Sequence, residues 1–176
     1  MTDLVLPDPS LVVLIGAAGS GKSTFAARHF RPAEILSSDA FRSLIAGDES
    51  DQRATRPAFA RLHRALERRL AGRQLTVVDA TNVERSARHA LVVRAGSAGL
   101  PAIAIVLDLP EATVLARNAG RSGRVVAATV VQRHLARLRH SLDGPARPLH
   151  GEGFREIVVV RDARELDEIR ITRRRV

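Results

Sequence analysis

Residues 11 to 25 read LVVLIGAAGSGKSTF, and within them Gly16, Gly21, Lys22 and Ser23 satisfy the pattern GxxxxGK[ST]. The pattern follows a strand-like apolar run and precedes a helical one, which is the context it requires. Its glycines let successive backbone N–H groups turn inward around a phosphate, at the positive end of a helix dipole. The amides of Gly19, Ser20, Gly21, Lys22, Ser23 and Thr24 are thereby placed to fix β and γ phosphates. Of 28 basic residues in the chain, 27 are arginine and one is Lys22. An ammonium on a flexible four-carbon stem follows a γ-phosphoryl group as it moves, whereas the planar fork of arginine is fixed. The Ser23 hydroxyl is the expected Mg²⁺ ligand. The motif calls for a nucleoside triphosphate, with ATP as the expected donor, and Mg²⁺. It leaves the acceptor open.

Three further stretches carry groups suited to an acceptor. In SSDAFR (37 to 42), Asp39 falls where a strand ends and a helix begins, at the sheet edge where open α/β folds hold ligands. Arg42 follows at i+3, on the same side. A carboxylate there accepts the proton of an attacking hydroxyl while the arginine orients it or binds a substrate phosphate; alternatively Asp39 only caps its helix. In VVDATN (77 to 82), Asp79 occupies the position of a carboxylate that assists Mg²⁺. Thr81 and Asn82 either contact the acceptor or, for Asn82, cap the next helix. In ARNAGRSGRV (116 to 125), a helix over 111 to 121 would place Arg117 and Arg121 on one face at i, i+4, to close over the triphosphate and stabilise the transferring phosphoryl group. Arg124 is a secondary candidate, and ordinary surface arginines are the competing reading. This Gly-interrupted segment is the expected mobile lid.

The elements that must position these groups follow from hydrophobic periodicity. Apolar runs at 11 to 15, 34 to 38, 75 to 80, 102 to 109 and 156 to 160 suit strands buried on both faces of a parallel sheet. Segments 22 to 29, 40 to 46, 53 to 71, 84 to 95, 111 to 119 and 126 to 141 carry apolar residues at helical spacing. Strand and helix alternate throughout, so the expected fold is α/β with about five parallel strands flanked by helices, and the phosphate-loop motif makes it a P-loop NTPase. The 176 residues suit one domain. The loop 143 to 153 fits no element, and the segment 143 to 154 is a candidate for the adenine pocket. The basic tail at 173 to 175 reads as solvated.

Composition narrows the function classes. There is no cysteine, which excludes disulfides, thiolate metal sites and cysteine nucleophiles. No signal peptide or membrane-length apolar run is evident, so a cytoplasmic location is expected. The net charge of +9 and pI near 11.5 suit a polyanionic partner, although a genome biased toward arginine codons would give the same total. Five Phe with no Trp or Tyr argue against an extended stacking platform for single strands.

Taken in order, GAAGSGKSTFA, LSSDAFR, GDESDQRAT (47 to 55), LTVVDATNVERSAR, LDLPEATVLARNAGRSGR and GEGFREIVV resemble the 5′-polynucleotide kinase module of bacterial RNA-repair enzymes. That module is usually the N-terminal part of a kinase, phosphatase and ligase protein. The resemblance implies a P-loop NTPase fold of kinase type and ATP-dependent transfer of the γ-phosphate to the 5′-OH of RNA or DNA. It implies phosphate and Mg²⁺ binding by Lys22 and Ser23, a general base at Asp39, Arg42 beside it at the acceptor, and lid arginines at Arg117 and Arg121. The competing readings are a small-molecule kinase of the same fold, acting on a sugar, sugar nucleotide or antibiotic hydroxyl, and a non-catalytic ATP-binding switch. No phosphatase or ligase motif is present in the chain, and the lid carries glycines where the family is more charged.

Overall fold

The computed structural model describes residues 3–46, 55–122, 125–145 and 148–176. The five apolar runs expected as strands form one parallel sheet. These are β2 (Leu11–Ile15), β3 (Ile35–Ser37), β4 (Thr76–Asp79), β5 (Ala102–Leu107) and β6 (Glu156–Val160), in the order β3-β4-β2-β5-β6. The central strand is LVVLI, and all five of its side chains are buried. Strand periodicity sends alternate residues to opposite faces. Val12 and Leu14 join one core cluster with Ile103, Ile105 and Leu107, while Leu11, Val13 and Ile15 join the other with Ala104 and Val106. Each buried aliphatic side chain contributes about 1.5–3 kcal/mol, so an unbroken apolar run is stable only with both faces covered.

Helices supply that cover. α1 (Lys22–His29) brings Phe25 and Ala26 to the first face; α3 (Thr55–Ala71) and α4 (Arg85–Ser97) bring Leu62, Leu66, Leu70, Leu91 and Ala95 to the second. α6 (Ala128–Asp143) reaches both, through Val131 and Leu135 on the first and Leu138 and Leu142 on the second. The remaining helices are α2 (Ser38–Ala46), α5 (Glu111–Ala119) and α7 (Ala163–Glu168).

Two strands lie outside the sequence-based expectation. β1 (Asp3–Asp8) and β7 (Arg170–Arg175) pair in parallel as a separate two-stranded sheet. In β1 only Leu4 and Leu6 are buried, and in β7 the run RITRRR has one apolar side chain. Such strands carry too little hydrophobic signal to be told from loop and tail. Arg173 is not simply solvated: its guanidinium makes two hydrogen bonds of 2.8 Å to the Glu34 carboxylate and lies 6.0 Å from the Phe30 ring centroid. Arg174 and Arg175 are exposed.

Because the central sheet is wholly parallel, all its strands end on one edge. Asp79, the last residue of β4, is in register with Leu14 of β2 and Ser37 of β3. The phosphate loop, Asp79 and the SSDAFR segment are thus neighbours before any side chain is considered. Among the described residues, no helix is long and apolar enough to cross a membrane.

Candidate phosphotransfer site

The loop between β2 and α1 is built on backbone conformations that glycine accommodates. Gly19 (φ +86°) and Gly21 (φ +95°) are left-handed, where a Cβ is strained. A side chain at Gly19 would also collide with the Val114 carbonyl and with Asn118 of α5, so the loop is packed against the helix that carries Arg117. Gly21 is the N-cap residue of α1, leaving the first amides of the helix to face a ligand. Lys22 is 8% exposed, and its ammonium donates to the carbonyls of Gly16 (2.9 Å) and Ala17 (2.8 Å) and to Ser20 Oγ (3.3 Å). Burial pushes its pKa down from 10.5 to about 8, with Asp79 opposing the shift and Arg121 adding to it.

The Ser23 hydroxyl donates to Asp79 Oδ2 at 2.7 Å, and Asp79 is buried. A hydroxyl and a carboxylate side by side are hard oxygen donors, the chemistry Mg²⁺ prefers. Among the described residues no cluster of three or more His, Cys, Asp or Glu is suited to a metal. A divalent ion at Ser23 and Asp79 would therefore be completed by phosphate oxygens and water, the usual Mg²⁺ arrangement.

A cavity of about 860 Å³ opens over this loop. It joins Lys22, Ser23, Thr24 and Asp79 to Ser38, Asp39, Arg42 and Thr81, and to Arg117 and Arg121. Gly16 and Ser20 lie behind the loop, buried, where they hold Lys22. Asp39 and Arg42 form an ion pair across i, i+3 of α2, with the Arg42 side chain 11% and the Asp39 side chain 36% exposed. Ser37, rather than Asp39, caps this helix: its hydroxyl accepts the Ala40 N–H at 3.4 Å. Asp39 is then left on the cavity wall.

Arg117 and Arg121 both reach the cavity, but not as two turns of one helix, because α5 ends at Ala119 and Arg121 lies in the link beyond it. The buried Asn118 clasps that link, donating to the Val126 carbonyl at 2.7 Å and accepting the Val126 N–H at 3.2 Å. Arg124 and most of the run 47 to 55 lie outside the described residues. Asn82 neither lines the cavity nor caps α4. It is left-handed (φ +48°) and buried, and its amide donates to the carbonyls of Leu14 (2.8 Å) and Ala80 (3.3 Å), tying the end of β4 to β2. The Thr81 carbonyl accepts the Gly16 N–H at 3.0 Å, adding a second tie.

Several residues of the site carried no sequence signal. Arg56 and Phe59 of α3 line the cavity, as do Arg28, Leu166, Asp167 and His134. All sit in helices whose pattern announces only amphipathicity. Within the segment 143 to 154, Leu149 belongs to the core and Glu152 is buried against Arg88, with contacts of 2.6 and 2.7 Å. Arg88, fully buried, also donates to the Asn82 and Val83 carbonyls and to Ser141. This network braces the β4–α4 turn from behind, and neither residue lines the cavity.

A family model described as an AAA domain (AAA_33) matches residues 11–145. The chain belongs to this family. Its P-loop, parallel sheet and sheet-edge carboxylates make this AAA domain one of P-loop kinase type. A comparison with curated protein sequences gives no significant match. Among solved structures, this AAA domain is similar to a chain of the Pnkp1/Rnl/Hen1 RNA repair complex, with TM-score 0.66, 24% identity, and coverage of 76% of this chain and 45% of that one. It therefore spans less than half of that relative's length. It is also similar to a gluconokinase from Sinorhizobium meliloti, with TM-score 0.53, 25% identity, and coverage of 92% and 87%. A sugar kinase from Janibacter sp. matches with TM-score 0.58, 21% identity, and 90% of each chain covered.

Proposed function

We propose that this AAA domain is an ATP- and Mg²⁺-dependent kinase that transfers the γ-phosphate to the 5′-OH end of RNA or DNA. The observation that carries the reading is the composition of the acceptor half of the cavity. The cavity that the Asp39–Arg42 pair lines is also lined by a second arginine, Arg56, and an aromatic ring, Phe59, both on α3, which packs against α2. Two guanidinium groups suit the phosphates next to a 5′ end, and an aromatic face suits a base. A small sugar offers neither.

In this mechanism the amides of residues 19 to 24 hold the β and γ phosphates and Lys22 moves from its backbone carbonyls onto them. Ser23 and Asp79 hold Mg²⁺, which when bound neutralises phosphate charge. Asp39 accepts the proton of the 5′-OH as its oxygen bonds to the γ-phosphorus and the bond to the β-bridging oxygen breaks, releasing ADP. Arg117 and Arg121 neutralise the equatorial oxygens, and Arg42 orients the acceptor.

The test is phosphoryl transfer from labelled ATP to 5′-OH DNA and RNA oligonucleotides, run beside a panel of small polyols. Transfer to oligonucleotides with an apparent affinity that falls steeply with salt is expected. Transfer to a polyol alone would favour the second reading, a small-molecule kinase, for which the end-to-end likeness to the gluconokinase and sugar kinase folds speaks.

A further inference from the structure

One titratable group on the cavity wall has no part in the mechanism above. His134 of α6 lines the cavity together with Lys22, Arg117 and Arg121. Its Nδ1 is shielded from solvent and has no hydrogen-bond partner. That nitrogen is closed off from the open cavity, so the other edge of the ring is the one that lines the wall and is left to meet what binds there.

The charges facing it say what that is. Burial, Lys22 and Arg133 together hold the His134 pKa below its ordinary 6.5, so the ring is neutral in a cavity that is itself cationic. Lys22 of α1 and Arg133 of its own helix act on it, Arg117 of α5 and Arg121 of the link line the same cavity, and Asp39 on α2, Asp79 on β4 and Asp167 on α7 are the acidic groups there. A polyphosphate entering between these cations reverses the sign of the local field. An imidazole whose charged form was suppressed by cations then gains a reason to bind a proton.

We propose that His134 is a further phosphate-contacting residue of this site, and that it couples nucleotide binding to proton uptake. The inference rests on the nucleotide-binding half of the proposed function and is independent of which acceptor is used. By linkage, nucleotide affinity rises as pH falls through the pKa of His134 in the complex, by at most about tenfold per pH unit.

The test is calorimetric titration of the full chain with ADP and Mg²⁺ at pH 6 and pH 7, each in two buffers of different ionisation heat. ADP prevents turnover. Its own titration is common to wild type and variant, so the difference between the two proteins isolates the histidine. Wild type is expected to take up a fraction of a proton, and His134→Gln to lose that uptake and to bind several-fold more weakly at pH 6 than at pH 7 relative to wild type. Equal proton uptake and equal pH slopes in the two proteins would overturn the proposal. Should the variant not fold, NMR titration of the wild-type His134 ring with and without ADP decides the matter: an upward shift of its titration midpoint supports the proposal and an unchanged midpoint overturns it. A wild-type chain that binds no ADP would overturn the nucleotide reading itself. A chain that binds ADP with coupled protons yet phosphorylates no oligonucleotide would leave this inference standing and remove only the choice of acceptor.

Discussion

The two halves of the cavity are built in opposite ways. The donor half is one unbroken loop of backbone amides, with Gly16, Ser20 and Lys22 buried and Gly19 lodged against α5. The proposed acceptor half is lined by side chains on α2, the start of α3 and the turn after β4, with a partly exposed carboxylate among them. A loop made of amides is rigid, general and indifferent to the acceptor. A wall made of side chains can be changed one residue at a time, so chains that share this fold over most of their length, as the repair-complex chain and the sugar kinases do with this one, can differ in this half. Substitutions in the two halves should therefore fail differently.

The largest separation is expected from Asp39→Ala. Losing a general base costs on the order of 10² to 10⁴ in turnover, while ADP affinity, read by calorimetry, should stay within about twofold because the carboxylate belongs to the other half. Turnover equal to wild type would remove Asp39 from the mechanism. Lys22→Met should cost on the order of 10² to 10³ in turnover, comparable to losing one donor of a preorganised anion site. Unlike Asp39→Ala, it should weaken ADP binding as well. If both variants damaged rate and binding equally, the division into halves would be wrong.

The same contrast governs what was legible in the sequence. Strand and helix bounds at β2, α1, α5 and β6 follow from apolar periodicity and coincide with expectation, and the P-loop was legible because its function is local: eight consecutive residues fix their own backbone. The places of Asp39 and Asp79 on the cavity wall were legible through position, since Asp79 ends β4 and Asp39 follows the end of β3 by two residues, in the first turn of α2. Arg56, Phe59 and His134 were not, because only tertiary packing decides which side of an amphipathic helix meets a cavity. The Arg88–Glu152 pair spans 64 positions, beyond any local pattern. β1 and β7 escaped because a two-stranded edge sheet buries too little to impose a readable alternation.

A smaller effect separates the halves by pH. Lys22 is held at a pKa of about 8 by burial in the unliganded loop, and its charged form is needed to meet phosphate. Above pH 8 the free protein must bind a proton in order to bind nucleotide, so ADP affinity should fall by up to about tenfold per unit as pH rises past 8. Lys22→Met should lack this limb, and Asp39→Ala should keep it. A wild-type affinity that is flat between pH 8 and 9.5 would contradict the assigned environment of Lys22.

The smallest expected effect probes how α2 presents the acceptor groups. The Ser37 hydroxyl accepts the Ala40 amide at 3.4 Å, a long bond, so Ser37→Ala should lie at the low end of cap losses, about 0.5–1 kcal/mol. For a chain of this size that lowers Tm by about 2–4 °C per kcal/mol, measurable by circular dichroism in a protein without tryptophan or tyrosine. The loss falls on the first turn of α2, where Asp39 sits, and the Ser23–Asp79 contact and the Lys22 cradle do not pass through that turn. A loosened first turn spreads the positions that Asp39 and Arg42 occupy. Reaction rate is sensitive to such spread even where the fold is intact, so the KM for the acceptor should rise a few-fold with ADP affinity unchanged. A matching fall in ADP affinity would mean that α2 and the phosphate loop form one mechanical unit, and that the boundary between donor and acceptor halves lies elsewhere.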